Sequence, residues 1–166
     1  SEEIARKYTT KMICVEYSEI TSSHFDWPGR NIIGDKTVSR MVNNAYNKIG
    51  IGPMDLDVVE LHDAFSPEEI WAYESIGLCK TGEAIKSMRA GDYDLGGRVP
   101  VNPSGGLLSL GHPIGASGVR VLNEIVLQLR GDAGARQVKD AKVGMAQMIG
   151  GYLTDVVAPV AGGIQI

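Results

Sequence analysis

The sequence holds two cysteines, Cys14 and Cys79, too few and too far apart for a disulfide framework or a zinc site. Their scarcity points to a reducing compartment and a cytoplasmic protein. No apolar run is long enough to cross a membrane. The opening SEEIARKYTTK lacks the apolar core of a secretory signal and reads as the interior of a longer polypeptide. No run of Lys or Arg stands out and the formal net charge is −4, which argues against nucleic acid as the main partner. There is no repeat of fixed period and no low-complexity segment. The phosphate-binding patterns GxGxxG and the P-loop are absent, and no His/Cys/Asp cluster has metal-ligand spacing.

What is present fits one domain of ordinary size. The chain has 166 residues, 43% of them hydrophobic and 22% charged, enough to bury a core without staples. Residues 2–8 suit a short helix. KMICVEY (11–17) reads as a strand that buries Cys14, and residues 18–35 as a long turn-rich loop. In the next segment Val38, Met41, Val42, Ala45 and Ile49 fall on one helical face that Gly50 ends. DVVELH (57–62) is a short apolar strand. It leads into HDAFSPEEIWAYESIG, where Ser66, Pro67 and Glu69 suit an N-cap, a first helical position and a capping box. A further helix is expected from Thr81 to about Ala90, and at most a short strand near 98–101. After the glycine-rich stretch, Val119, Leu122, Ile125, Val126 and Leu129 mark one helix face, with Val121 and Leu127 pointing elsewhere, so burial on more than one side is expected. KVGMAQMIGG and YLTDVVAPV read as two antiparallel strands joined at Gly150 and Gly151, with Pro159 at an edge or a strand end. The order is that of an α/β protein, with a mixed sheet of about five strands covered by helices.

Two histidines stand where chemistry is often placed. NPSGGLLSLGHPIGASG (102–118) holds five glycines, two prolines and His112, just ahead of a long helix. Glycine lets the backbone turn sharply and approach another group closely, and free N–H groups at a helix start favour an anion or a polarised oxygen. His112 therefore suits a general base or an oxyanion donor. It equally suits a buried histidine in a structural turn. His62 closes a strand at a strand-to-helix junction, where open α/β sheets place their sites. Asp63 can orient His62 or cap the following helix, and the cap is the simpler role. Glu68 and Glu69 suit the dipole of a first helical turn. His24, in a loop with Phe25, Asp26 and Trp27, is assigned no role, and Cys79 has nothing nearby to make it a thiolate.

VVELHDAF, NPSGGLLSLGHPIGASG and GMAQMIGGY, in this order and at these intervals, resemble the C-terminal half of a thiolase. The HD in place of NE, and LRGDAGARQV (129–138), resemble the sterol-carrier-protein and archaeal-type branch. The resemblance implies a βαβαβαββ half that packs with a similar N-terminal half and usually dimerises. It implies C–C bond chemistry on acyl units carried by coenzyme A, with the coenzyme A thioester as substrate and no bound cofactor. His112 matches the histidine that activates a nucleophilic cysteine of the N-terminal half and helps hold the thioester oxygen. His62 matches the residue that completes that oxyanion site, and Ser104, Gly105, Gly106 and Gly111 match the loop that lines it. Partners implied are the acyl-CoA, the N-terminal half, a second copy in the full enzyme, and a small acyl-CoA-binding protein.

The sequence departs from the pattern. Neither cysteine lies in a nucleophile motif, so the N-terminal half is expected elsewhere and this chain alone is expected to be inactive. The usual CxGGG cysteine is Met148, and the HDCF cysteine is Ala64. Three readings follow. One is the C-terminal domain of an acetyl-CoA acetyltransferase-type thiolase. Another is a thiolase-like aldolase that cleaves a β-hydroxyacyl-CoA of the steroid side-chain type, to which Tyr152 would lend a phenol or, more plainly, serve as a strand residue. The last is a non-catalytic domain that binds acyl-CoA or a partner.

Overall fold

A computed structural model describes residues 2–22, 36–150, 155–157 and 160–162. The strands are β1 (Cys14–Tyr17), β2 (Ile20–Ser22), β3 (Val58–Glu60), β4 (Val143–Ala146), β5 (Met148–Gly150), β6 (Asp155–Val157) and β7 (Val160–Gly162). The helices are α1 (Glu2–Ala5), α2 (Lys36–Ile49), α3 (Ser66–Ser75), α4 (Ala84–Arg89), α5 (Gly106–Leu110) and α6 (Ile114–Arg130), with 3₁₀ turns at Pro53–Asp55 and Gly134–Arg136.

The sheet is mixed, as the pattern of the sequence implies. One part has the order β1-β7-β4-β3 and the other β2-β6-β5. β3 and β4 are parallel, and every other pairing of named strands is antiparallel. Three stretches of chain contribute a strand to each part: β1 and β2, β4 and β5, and β6 and β7. With β3, and a parallel bridge from Val59 to Val101, they make up the five expected strand segments. Ile20–Ser22 falls in a stretch that reads as loop; its strand comes from long-range pairing with β6, which local composition does not encode. α1 and α4 are shorter than their segments suggest, and Cys14 is half-buried rather than buried. Tyr152, Pro159 and His24 lie outside the described residues.

Strand alternation divides the core in two. On one face Val59, Leu61 and Met145 pack with Val38, Met41, Val42 and Ala45 of α2 and Ala72 and Tyr73 of α3. On the other, Val58 and Ala146 pack with Val121 and Ile125 of α6. That second contact is close: a Cβ on Gly144 would lie 2.7 Å from Ile125 Cγ2. β3 is buried along its whole length, so the chain leaving it emerges from the middle of the domain between α2/α3 and α6.

The α6 face differs from its apolar pattern. The buried residues are Ser117, Val121, Glu124, Ile125 and Gln128, whereas Val119 is 72% exposed. The polar members are buried because each is hydrogen-bonded. Gln128 accepts from Val138 N at 2.7 Å and donates to Arg136 O at 2.8 Å, and Glu124 pairs with Arg136 at 2.8 Å. Val119 and Leu122, with Val15, Val121, Gly118, Ser18 and Met148, line an apolar groove of about 350 Å³.

Candidate active site

His62 and His112 are fifty residues apart in sequence and meet at the end of β3. His62 Nε2 lies 3.4 Å from His112 Nε2, and the rings stand edge to face, with centroids 5.1 Å apart and planes at 81°. Each ring is held from behind through its other nitrogen. Glu68 Oε1 lies 2.9 Å from His62 Nδ1, and Ser117 Oγ lies 2.8 Å from His112 Nδ1. His62 and Ser117 are buried, and His112 is half-buried. Two ring nitrogens thus converge on one point, which suits holding one oxygen or passing one proton.

The backbone carrying His62 is pinned by side chains rather than by the sheet ladder. β3 ends at Glu60, and the next donors turn to buried amides: Leu61 N donates to Asn102 Oδ1 at 2.8 Å and His62 N to Gln147 Oε1 at 3.1 Å. Gln147 separates β4 from β5, and its own N–H donates to Glu60 O at 2.8 Å. Asn102 sits at φ +49, a conformation that asparagine tolerates better than most side chains.

The glycine-rich loop is latched to the same strand end. The Glu60 carboxylate accepts from Ser104 N at 3.0 Å and Ser104 Oγ at 2.7 Å. The Asp63 carboxylate accepts from Leu107 N at 2.6 Å and Leu108 N at 3.4 Å. Asp63 is therefore a cap, of α5 rather than of the helix that follows it. Gly105 precedes α5 at φ +98, Gly106 opens it at φ +64, and Gly111 closes it at φ +79, directly ahead of His112. Ser104 turns inward, its hydroxyl bonded to Glu60. Burial pushes the Glu60 carboxyl up to about 7, although the two bonds from Ser104 favour its charged form.

The capping box expected at Ser66 does not form. Phe65 occupies the cap position with no side-chain cap bond, Ser66 is the first helical residue, and Pro67 is the second. Glu68 lies in the first turn, and its Oε1 reaches back to His62 Nδ1. Glu68 and Ser117 belong to the site by geometry, yet composition marks neither. The one signal is position: each sits in the first turn of a helix that starts within a few residues of its histidine. Among the described residues no cluster of three or more His, Cys, Asp or Glu has the arrangement of a metal site, and no helix is long and apolar enough to cross a membrane.

Comparison with known proteins gives this arrangement a family. Residues 22–162 match the profile described as thiolase C-terminal domain-like. The chain is 40% identical over 156 residues to sterol carrier protein 2 of Bos taurus, covering 90% of this chain and 29% of that protein. It is 41% identical over 151 residues to an acetyl-CoA acetyltransferase of Methanothermobacter thermautotrophicus, covering 90% of this chain and 39% of that one. The solved structure described as Ltp2-ChsH2(DUF35) aldolase superposes with a TM-score of 0.83 at 23% identity, covering 97% of this chain and 42% of that chain, a likeness of fold. The chain spans less than half the length of each. By its sequence and its fold, the chain belongs to the thiolase C-terminal domain-like family.

Proposed function

We propose that this domain supplies the histidine side of a thiolase-type acyl-CoA site, of the acetyl-CoA acetyltransferase kind. The observation that carries the reading is the convergence of His62 and His112, with Nε2 atoms 3.4 Å apart and both Nδ1 atoms held from behind. A thioester oxygen seated beside this pair would meet a fixed imidazole N–H, the kind of donor that an enolate or tetrahedral oxyanion needs. His112, half-buried, is the ring that substrate reaches first, and with the Ser117 hydroxyl turned to Pro113 O its Nε2 is free to take the proton of a nucleophilic thiol. That thiol belongs to an N-terminal thiolase half, since Cys14 and Cys79 lie in no matching motif. The glycine-rich loop keeps bulky side chains out of a narrow site while its latches hold His112 in place.

Reconstitution with such a half tests this directly, by thiolysis of acetoacetyl-CoA. His112→Ala is expected to lower kcat by about 10²–10³-fold, the usual cost of losing one oxyanion donor, with the fold retained by circular dichroism. Unchanged turnover in that variant would remove His112 from the mechanism.

A second reading is favoured by one specific observation: Ala64 and Met148 occupy the positions where the thiolase pattern places its second cysteine. Neither side chain can carry a proton, which suits retro-aldol cleavage of a β-hydroxyacyl-CoA better than a cysteine-pair mechanism. Cleavage that survives iodoacetamide would select this reading. Loss of activity on alkylation would select the first.

A further inference from the structure

Glu68 has no part in the core or the sheet, yet it is half-buried. Its side chain is 14% exposed, and its Oε2 is buried with no hydrogen-bond partner among the described residues. Burying a carboxylate is costly unless it is paired. Among the described residues its one hydrogen-bond partner is His62, whose Nδ1 lies 2.9 Å from Oε1.

The direction of that contact fixes the rest by hydrogen counting. An ionised carboxylate only accepts, so the hydrogen lies on His62 Nδ1. In the uncharged ring His62 Nε2 is then an acceptor. It faces His112 Nε2 at 3.4 Å, so the hydrogen between them belongs to His112. His112 Nδ1 in turn becomes an acceptor, and Ser117 Oγ, 2.8 Å away, donates to it. The Ser117 hydroxyl has a second acceptor in Pro113 O at 3.2 Å, but the His112 nitrogen is nearer. The donors therefore run one way, from Ser117 to His112 to His62 to Glu68. Turned to Pro113 O, the same hydroxyl would accept from His112 Nδ1, and the two Nε2 lone pairs would be left facing the site, ready for a proton.

We propose that Glu68 is a positioning residue of the acyl-CoA site: by accepting from His62 Nδ1 it sets the tautomer of both imidazoles and leaves His112 as the Nε2–H donor aimed where the thioester oxygen binds. This rests on the reading of the site under Proposed function. No covalent step is added. On substrate binding the His112 Nε2–H is shared with the thioester oxygen, while His62, its Nδ1–H anchored on Glu68, keeps its ring fixed.

Nitrogen-15 NMR of the histidine-labelled protein, assigned with His24→Gln, His62→Gln and His112→Gln variants, reads the tautomers without substrate. The expected result is Nδ1–H for His62 and Nε2–H for His112. In Glu68→Ala the His62 hydrogen moves to Nε2 or averages between the two nitrogens. In the reconstituted enzyme kcat falls by about 10–100-fold with KM changed by less than about 2-fold, the size expected for an outer-shell partner that orients an imidazole. Glu68→Gln, whose amide oxygen still accepts, restores the Nδ1–H tautomer and most of kcat. The inference is overturned if wild-type His62 carries its hydrogen on Nε2, if Glu68→Ala leaves both tautomers unchanged, or if Glu68→Gln is as impaired as Glu68→Ala. Should His112→Ala retain full turnover, the functional reading fails on its own, and the tautomers of Glu68→Ala still decide the role of Glu68.

Discussion

Asp63 fills the space that a side chain on Gly106 would need. A Cβ there would lie 2.1 Å from Asp63 Oδ2 and 2.7 Å from its Cγ, and Gly106 has φ +64. The same carboxylate accepts from Leu107 N at 2.6 Å, so close approach and latch are one contact. Gly106→Ala must both strain the backbone and displace the carboxylate, and is expected to destabilise by at least about 2 kcal/mol. Gly115→Ala is the control. It lies in α6 with ordinary helical backbone and nothing within 4 Å of its Cβ, and it should stabilise by about 0.5–1 kcal/mol through helix propensity. Urea unfolding of the two variants should therefore shift in opposite directions.

Glu60 makes stability depend on pH in the sense opposite to an ordinary salt-bridged carboxylate. Burial raises its carboxyl from 4.5 to about 7. Between those values the unfolded chain has released the proton and the folded chain still holds it. The unfolded state thus binds fewer protons, and stability falls as pH rises through the window. Below about 4.5 and above about 7 this group contributes no slope. Glu60→Gln removes the titration and keeps an acceptor for Ser104. At pH 8 it is expected to be more stable than wild type by on the order of 2 kcal/mol, with the difference vanishing near pH 4. Parallel slopes for the two proteins in urea unfolding from pH 4 to 8 would rule this out.

Local pattern reads α2 well and α6 poorly, for one physical reason. Val38, Met41, Val42 and Ala45 are apolar and buried, so periodicity and burial coincide. In α6 the buried stripe carries Ser117, Glu124 and Gln128, each satisfied by partners that only the folded chain brings near. The apolar residues beside that stripe include Val119, which is exposed. The two histidines show the same limit. Turn chemistry places His62 and His112 each at the mouth of a helix, but their meeting depends on α6 packing against β3. The family resemblance supplied that pairing; spacing did not. The contact between Glu68 and His62 is not legible locally, because Ser66 and Glu69 mimic a capping box, whereas the helix starts one residue earlier than that box requires.

Asn102 combines two roles that substitutions can separate. It holds a left-handed backbone at φ +49, and its Oδ1 takes the N–H of Leu61, the donor just past the end of β3. Asn102→Ala loses the acceptor and puts an unfavourable residue in that conformation, an expected cost of about 2–3 kcal/mol. Asn102→Gly loses only the acceptor and should cost about 1 kcal/mol less. In both variants the Leu61 amide should exchange faster with solvent than in wild type. Protection of that amide left intact would show that another acceptor takes over.

The groove beside α6 offers a test of the proposed partner that leaves the domain itself intact. Val119 and Val15, 72% and 56% exposed, border it together with Leu122 and Met148. An apolar strip running back from the His112 loop suits burial against the N-terminal half, because the substrate would lie where the two halves meet. Val119→Asp touches no buried contact within the domain, so its unfolding free energy should stay within about 0.5 kcal/mol of wild type. If the N-terminal half covers this face, the buried carboxylate should weaken association between the halves by at least about 10-fold, since an unpaired charge is costly to desolvate. Sedimentation of mixed halves measures this. Wild-type association by Val119→Asp would place the other half on a different face, while leaving the histidine pair and its hydrogen-bond chain as described.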